Sequence, residues 1–322
     1  MRVLVLLGAA AALLAATVPG PAVAQGPGSQ AVVLLHHPYD KVDPFGVPFG
    51  GGDTFSARHY AASAEGTFAF PTFVADGVLP VTSIPDPSAP YISTLANYTS
   101  RVESRLAMGS PGTLTLRGTV QGESLQVEVA FLPSAPLADP QHPDAIHLFV
   151  AVVEDFIHYQ PDPRVSNGVV DHRLTVRALQ DLGPVDLSQG QAVRGGHAFA
   201  LGGAWSGDNL IVAAWLEAQA PFGRFGAGEV LQAAWASADG TDVVQSEKAV
   251  LVEVYSATWC TPCLYGDEAA KDLAVQYGKA AQAAAPGGPK YFRAPETPTL
   301  AAGATLAACV VIGAWAWRRR AA

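Results

Sequence analysis

Residues Val254 to Cys263, VYSATWCTPC, constrain this chain more than any other stretch. The apolar run AVLVEVY before the cysteines reads as a buried strand, and residues 262–283 after them read as a helix. Two cysteines two residues apart can form half of a metal site, a loop staple, or a dithiol that exchanges disulfides. Zinc ribbons need a second pair or added histidines, and no histidine lies beyond His197. At a strand-to-helix junction Cys260 stands at the helix N-terminus, where free N–H groups and the helix dipole stabilise a thiolate. Pro262 is tolerated in the first turn, because the N–H it lacks has no helical partner there. A disulfide closing so short a loop would stabilise little as a static staple. The third cysteine, Cys309, lies in an apolar C-terminal run, so the chain is not a disulfide scaffold.

Both ends are apolar, and they differ in kind. Met1-Arg2, an apolar run to Val18 and the small-x-small site Ala22-Val23-Ala24 predict a signal peptide over 1–24. Thr299 to Trp317 carries no charge for 19 residues and is followed by Arg318-Arg319-Arg320. About 20 apolar residues span a bilayer, and the arginines place the C-terminus in the cytoplasm. The stretch APETPTLAAG…RRR also resembles prokaryotic C-terminal sorting tails, which are sometimes cleaved. The rest of the protein is then expected outside the cytoplasm, on a single-pass anchor. A net charge of −9 with no basic stripe before the tip excludes nucleic acid as a partner.

Between these ends the pattern changes at Gly109. Before it come the buried run AVVLLHH, a short helix over Phe55 to Ala64, the extended pair FAFPTFVADG with its Asp76-Gly77 turn, and an amphipathic helix over Tyr91 to Met108. That helix carries Ile92, Leu95, Val102 and Leu106 at roughly helical spacing. After Gly109, TLTLRGTV, LQVEVAFL, IHLFVAVVE, HRLTVRAL, the stretch around His197, NLIVAAWLE and EVLQAAWA make about seven strands. Their regular spacing predicts an antiparallel sandwich.

ATWCTPC between a strand and a helix resembles the thioredoxin superfamily, in particular its extracytoplasmic, membrane-tethered members. That family continues after the motif with a helix, a strand, a cis-proline before Thr, a β-hairpin and a last helix. Too little chain follows Ala284 to supply them. AVVLLHH, the short helix, FPTFVADG and the 91–108 helix resemble the missing parts in the right order, with Pro71 in the cis-proline place. The resemblance therefore implies a circular permutation. LFVAVVED, HRLTVRAL and GEVLQAA, with His36-His37-Pro38, Asp43-Pro44-Phe45, Pro71-Thr72 and Asp76-Gly77, are similar to outer-membrane-type proteins that join a thioredoxin-like head to an immunoglobulin-like tail. The expected organisation is a signal peptide (1–24), the two halves of a permuted α/β thioredoxin-like domain (30–108 and 247–284), and an inserted all-β antiparallel immunoglobulin-like sandwich (109–246). A linker (285–298) and one transmembrane helix (299–317) complete it. The AVVLLHH strand should pair in parallel with AVLVEVY, and Pro71 should face Cys260 across nearly 190 residues of sequence.

The resemblance implies thiol–disulfide exchange in which Cys260 attacks, Cys263 resolves the mixed disulfide, and Pro71 lines the opposite wall. The backbone at Phe70 pairs with an extended substrate, flanked by Thr72 and Trp259. No cofactor or metal is implied. The partners are protein thiols or disulfides outside the cytoplasm, with the electron donor unspecified. The sandwich is expected to bind or position partners. The alternative is a surface binding or copper-delivery protein, in which His36 or His37 joins the cysteines around a soft metal. Otherwise His36 and His37 are polar loop neighbours at a strand end, and His142, His147, His158 and His172 need no common site. Thioredoxins carry an acidic residue six positions before the first cysteine to move the second thiol's proton. Here that position is Val254, and Glu253 falls on the opposite face of the strand.

Overall fold

A strand whose side chains are buried on both faces must lie inside a sheet covered on both sides, and β1 (Ala31–His36) is buried at all six positions. Its partner is β16 (Val250–Tyr255), also buried throughout. The two run parallel, in register from Ala31 opposite Val250 to His36 opposite Tyr255. The computed structural model describes residues 30–38, 43–46, 48–49, 52–53, 70–81, 88–159, 167–203 and 205–277. β2 (Pro48–Phe49) and β3 (Gly52–Asp53) form a small separate pair. On the far side of β16, β4 (Thr72–Ala75) runs antiparallel to it and turns through Asp76-Gly77 into β5 (Val78–Val81). Helix α1 (Pro90–Leu106) and helix α2 (Cys263–Tyr277) pack on each other and on these strands.

The middle of the chain is all-β. It comprises β6 (Gly112–Gln121), β7 (Ser124–Pro133), β8 (Ile146–Glu154), the short pair β9 (Ile157–His158) and β10 (Asp171–His172), β11 (Thr175–Pro184), β12 (Val193–Ala200), β13 (Leu210–Ala218), β14 (Val230–Ser237) and β15 (Asp239–Gln245). One layer is the four-stranded sheet β12-β7-β6-β15. The other strands do not form a sheet of their own. They continue directly into the first group, in the order β14-β13-β8-β11-β1-β16-β4-β5. The join is narrow, since β11 meets β1 through the pairing of Thr175 with Leu35.

The strict alternation of β8 and β13 explains how one sheet serves two cores. Phe149, Ala151, Val153, Ala213 and Trp215 belong to the core that includes both helices, β1 and β16. The residues between them, such as Leu148, Val150, Val152, Val212 and Ala214, pack instead against Leu114, Leu116, Val127 and Phe131 of the four-stranded sheet. A period of two with apolar residues on both faces is what a central strand between two layers requires.

The structure departs from the sequence reading at several points. An eighth sandwich strand, β15, reads DGTDVVQ and has the polar composition of an edge; it pairs with β6 across a register shift near Asp239. α1 begins one residue earlier than expected, and its buried residues are Thr94, Tyr98, Val102 and Arg105. Ile92, assigned to the apolar face, is 69% exposed. The helix turns this way because Tyr98 stacks on Phe73 and Arg105 reaches buried carboxylates. Helix α2 is described as far as Tyr277. The expected short helix over 55–64, the 1–24 leader, the 285–298 linker and the 299–317 membrane span lie outside the described residues. Among the described residues no helix is long and apolar enough to cross a membrane.

A buried ionic knot ties the β4–β5 turn to the sandwich. Asp76 Oδ2 lies 3.0 Å from Arg105 Nε and 2.8 Å from Lys248 Nζ, while Arg105 also pairs with Glu229, the residue just before β14. Asp76 Oδ1 accepts the Leu251 N–H, and its carbonyl accepts the Val230 N–H. Burial holds the Lys248 ammonium below its ordinary pKa despite Asp76 beside it. Two cations facing two carboxylates leave no net charge in the core. The turn also needs glycine: Gly77 has φ +70°, and a Cβ there would stand 1.7 Å from the Gly228 carbonyl oxygen.

Candidate functional site: a disulfide between strand and helix

β16 ends at Tyr255, and the chain makes tight turns before α2 begins at Cys263. In these turns the Cys260 N–H donates to Ala257 O, the Cys263 N–H to Cys260 O, and the Leu264 N–H to Thr261 O. Such i+3 bonds lead into the helix and occupy its first N–H groups, so the helix begins at Cys263 rather than at Cys260. Cys260 and Cys263 are joined as a disulfide, with Cα atoms 5.3 Å apart. Cys260 is 5% exposed and Cys263 is fully buried, so Cys260 is the less buried of the two.

The opposite wall comes from the other end of the chain. The Phe70–Pro71 peptide is cis. Pro71 rests on the first turns of α2: a Cβ on Gly266 would meet Pro71 Cβ at 2.8 Å and the Tyr98 hydroxyl at 3.3 Å. Only glycine lets the helix and the proline approach this closely. Phe70 packs against Ala257, Cys260 and Cys263, and its ring meets Trp259 edge-on with centroids 5.2 Å apart. Trp259 is 39% exposed and borders the disulfide towards solvent. Thr72 is buried opposite Tyr255 in the β4–β16 ladder. Phe70, Trp259, Cys260 and Cys263 thus lie together with Pro71 behind them, whereas Thr72, expected at the substrate face, is buried in the ladder beside Pro71.

Several neighbours were not anticipated. Asp267 lies one helical turn beyond Cys263 and is buried, with Oδ1 lacking a hydrogen-bond partner among the described residues. Burial pushes its carboxyl up to about 6, with the Ser256 hydroxyl, His37 and Lys271 nearby pulling the other way. The signal available in the sequence was the spacing, since residues four apart share a helix face. His36 and His37 are not polar loop residues. His36 is the last residue of β1, fully buried, stacked on Tyr255 and 3.1 Å from Glu253. His37 is buried with Nδ1 2.9 Å from Asp43 Oδ2.

His172 joins this group from the sandwich side, its ring 5.9 Å from His37 and 4.6 Å from Phe45. Burial, reinforced by His37, pushes its pKa down to about 4. Asp43 in turn accepts the backbone N–H groups of Phe45 and Thr258. Burial works against its charge, but His37 and these donors outweigh it and hold the carboxyl below its ordinary range. Among the described residues no group of three or more His, Cys, Asp or Glu side chains is arranged to hold a metal ion.

What this arrangement can do chemically is limited and specific. It sets the less buried half of a disulfide between an exposed aromatic and a cis-proline wall, and the fully buried half one helical turn before a buried carboxyl. A comparison with protein-family models found no match, and neither did one with curated proteins. Among solved structures the chain is similar to the crystal structure of a C2-type domain of RIM from Drosophila, at 12% identity and a TM-score of 0.20, over 42% of this chain and 98% of that one. That likeness is too slight to bear on fold or function.

Proposed function

We propose that this protein is an extracytoplasmic thiol–disulfide oxidoreductase, built on a circularly permuted thioredoxin-like unit carrying an inserted β-sandwich. The observation that carries the reading is the Cys260–Cys263 disulfide at a strand-to-helix junction, faced by the cis Phe70–Pro71 peptide from the opposite end of the chain. The parallel pairing of β1 with β16 and the antiparallel β4 beside it support the permuted arrangement.

In the oxidised protein a substrate thiolate attacks Cys260 Sγ, the more exposed sulfur. The Cys260–Cys263 bond breaks and Cys263 leaves as a thiolate. Cys263 is sealed from solvent, and we assign the supply of its proton to the protonated carboxyl of Asp267, one helical turn further along α2. A second substrate thiolate then attacks the substrate sulfur of the mixed disulfide and releases Cys260 as a thiolate. The substrate has lost two electrons and the protein has gained them. Reduction of a substrate disulfide runs through the same atoms in reverse, with Asp267 accepting the Cys263 proton. Phe70 and Trp259 supply an apolar rim for the polypeptide flanking the reacting cysteine, and Pro71 presents no N–H beside the sulfurs.

Equilibration with glutathione or dithiothreitol buffers tests the reading. The native protein should titrate as a two-electron couple above about −300 mV, the range below which structural disulfides lie. Exchange with a model disulfide substrate should vanish in Cys260→Ser. A pair that reduces only on unfolding would mean a static staple. Stoichiometric copper binding by the reduced protein, without turnover, would favour a metal-delivery role.

A further inference from the structure

The loop that carries Cys260 is held by two segments that are remote in sequence. From the α/β side, Asp43 Oδ2 accepts the Thr258 N–H at 2.8 Å, and His36 O accepts the Ser256 N–H at 3.0 Å. From the inserted sandwich, the Asn167 backbone N–H donates to Thr258 O at 2.6 Å. Asn167 Nδ2 lies 3.4 Å from Ala257 O and 3.3 Å from Cys260 O. Both sides of Thr258, two residues before Cys260, are thereby engaged.

Asn167 is itself fixed. Its Oδ1 accepts the Val169 N–H at 3.0 Å across Gly168, which takes φ +86°. This Asx-type turn points the amide donors away from its own backbone, so the side chain uses its acceptor locally and its donors on the redox loop. No other residue type offers both functions in that shape.

We propose that Asn167 is a positioning residue of the redox site, through which the inserted sandwich holds the Cys260 loop in the geometry that closes the disulfide. This rests on the exchange reading above. Cys263 is anchored by α2, so the equilibrium between dithiol and disulfide depends on how narrowly Cys260 is confined beside it. A confined loop raises the effective concentration of one sulfur at the other. Loosening the loop makes the disulfide easier to reduce. The sandwich is then more than a passive partner-binding appendage, because displacement of its 167–169 turn by a bound partner would shift the dithiol towards the reduced form.

The experiment is a redox titration of the full chain carrying Asn167→Ala. We expect ring closure to weaken about tenfold, which for a two-electron couple is a potential about 30 mV less negative. Asn167→Ser guards against misfolding, since its hydroxyl can keep the local turn while being too short to reach both carbonyls. It should shift the potential in the same direction by a smaller amount. A merely structural role would lower the stability of oxidised and reduced protein alike and leave the potential where it was. An unchanged or more negative potential in both variants overturns the inference while the exchange reading stands. A wild-type protein with no reversible couple overturns the exchange reading itself.

Discussion

Asp267 is a carboxyl in the core with an unsatisfied oxygen, and replacing it should make the protein more stable in a way that depends on pH. Its pKa stands at about 6 in the folded protein against an ordinary 3.8, with burial as the main cause. A rise of about two pH units, at about 1.36 kcal/mol each, corresponds to about 3 kcal/mol. The sign follows from proton linkage. The folded state binds this proton more tightly than the unfolded chain. The stability it contributes is therefore complete below about pH 3.8 and is lost as pH rises through about 6. Asp267→Asn removes the titration and keeps the shape. The variant and the wild type should be of similar stability near pH 4, and the variant should gain up to about 3 kcal/mol by pH 7. Urea unfolding of the oxidised proteins across this range, read from midpoints at constant slope, gives the difference directly. A difference that does not change with pH, or a variant less stable at pH 7, would refute the assignment of a buried, proton-holding Asp267. Under the proposed exchange reading, the same variant should also slow exchange at the step where Cys263 gains or loses its proton. It would therefore be a stabilising substitution that costs activity, as is common at functional sites.

Reduced protein should alkylate first at Cys260, the more exposed of the two, and Cys263→Ser should accumulate mixed disulfides visible on non-reducing gels. If Cys263 reacts faster, the two roles are exchanged. Gly266→Ala should lower stability and exchange rate, although an alanine inside a helix ordinarily gains about 1 kcal/mol over glycine; the reason is the 2.8 Å approach to Pro71 Cβ, and a stabilised, fully active variant would contradict that packing. Lys248→Met leaves Asp76 and Glu229 facing Arg105 alone and should cost about 3–5 kcal/mol, measured by thermal or urea unfolding. Gly77→Ala should cost more than the about 1–2 kcal/mol of a left-handed residue, because its Cβ meets backbone rather than a movable side chain.

Much of this molecule is legible from local pattern alone. Period-two alternation marks β6 and β7, which bury one face, and continuous apolar runs mark β8 and β13, since a strand between two layers must be apolar on both faces. The strand, the cysteine pair and the helix that follow one another from Val250 to Tyr277 need only short-range rules of propensity and capping. Those rules put Cys260 at the helix start, whereas in the structure tight turns intervene and Cys263 opens the helix. Other features depend on what the folded chain places side by side. The helical spacing of α1 is clear in sequence, but Ile92 faces solvent while Thr94, Tyr98 and Arg105 are buried. The phase of that helix is set by partners as distant as Glu229, and no local apolar count can find them. His37, Asp43, His172 and Asp267 read as ordinary polar residues until tertiary packing removes them from water and leaves them one another as neighbours. Asn167 reads as a turn residue and meets the loop that carries Cys260 only because β9 and β10 bring it there. Apolar periodicity is written residue by residue, because transfer from water depends on each side chain alone. The environment of a buried polar group depends on its partners, and in this protein those partners come from both ends of the chain and from its middle.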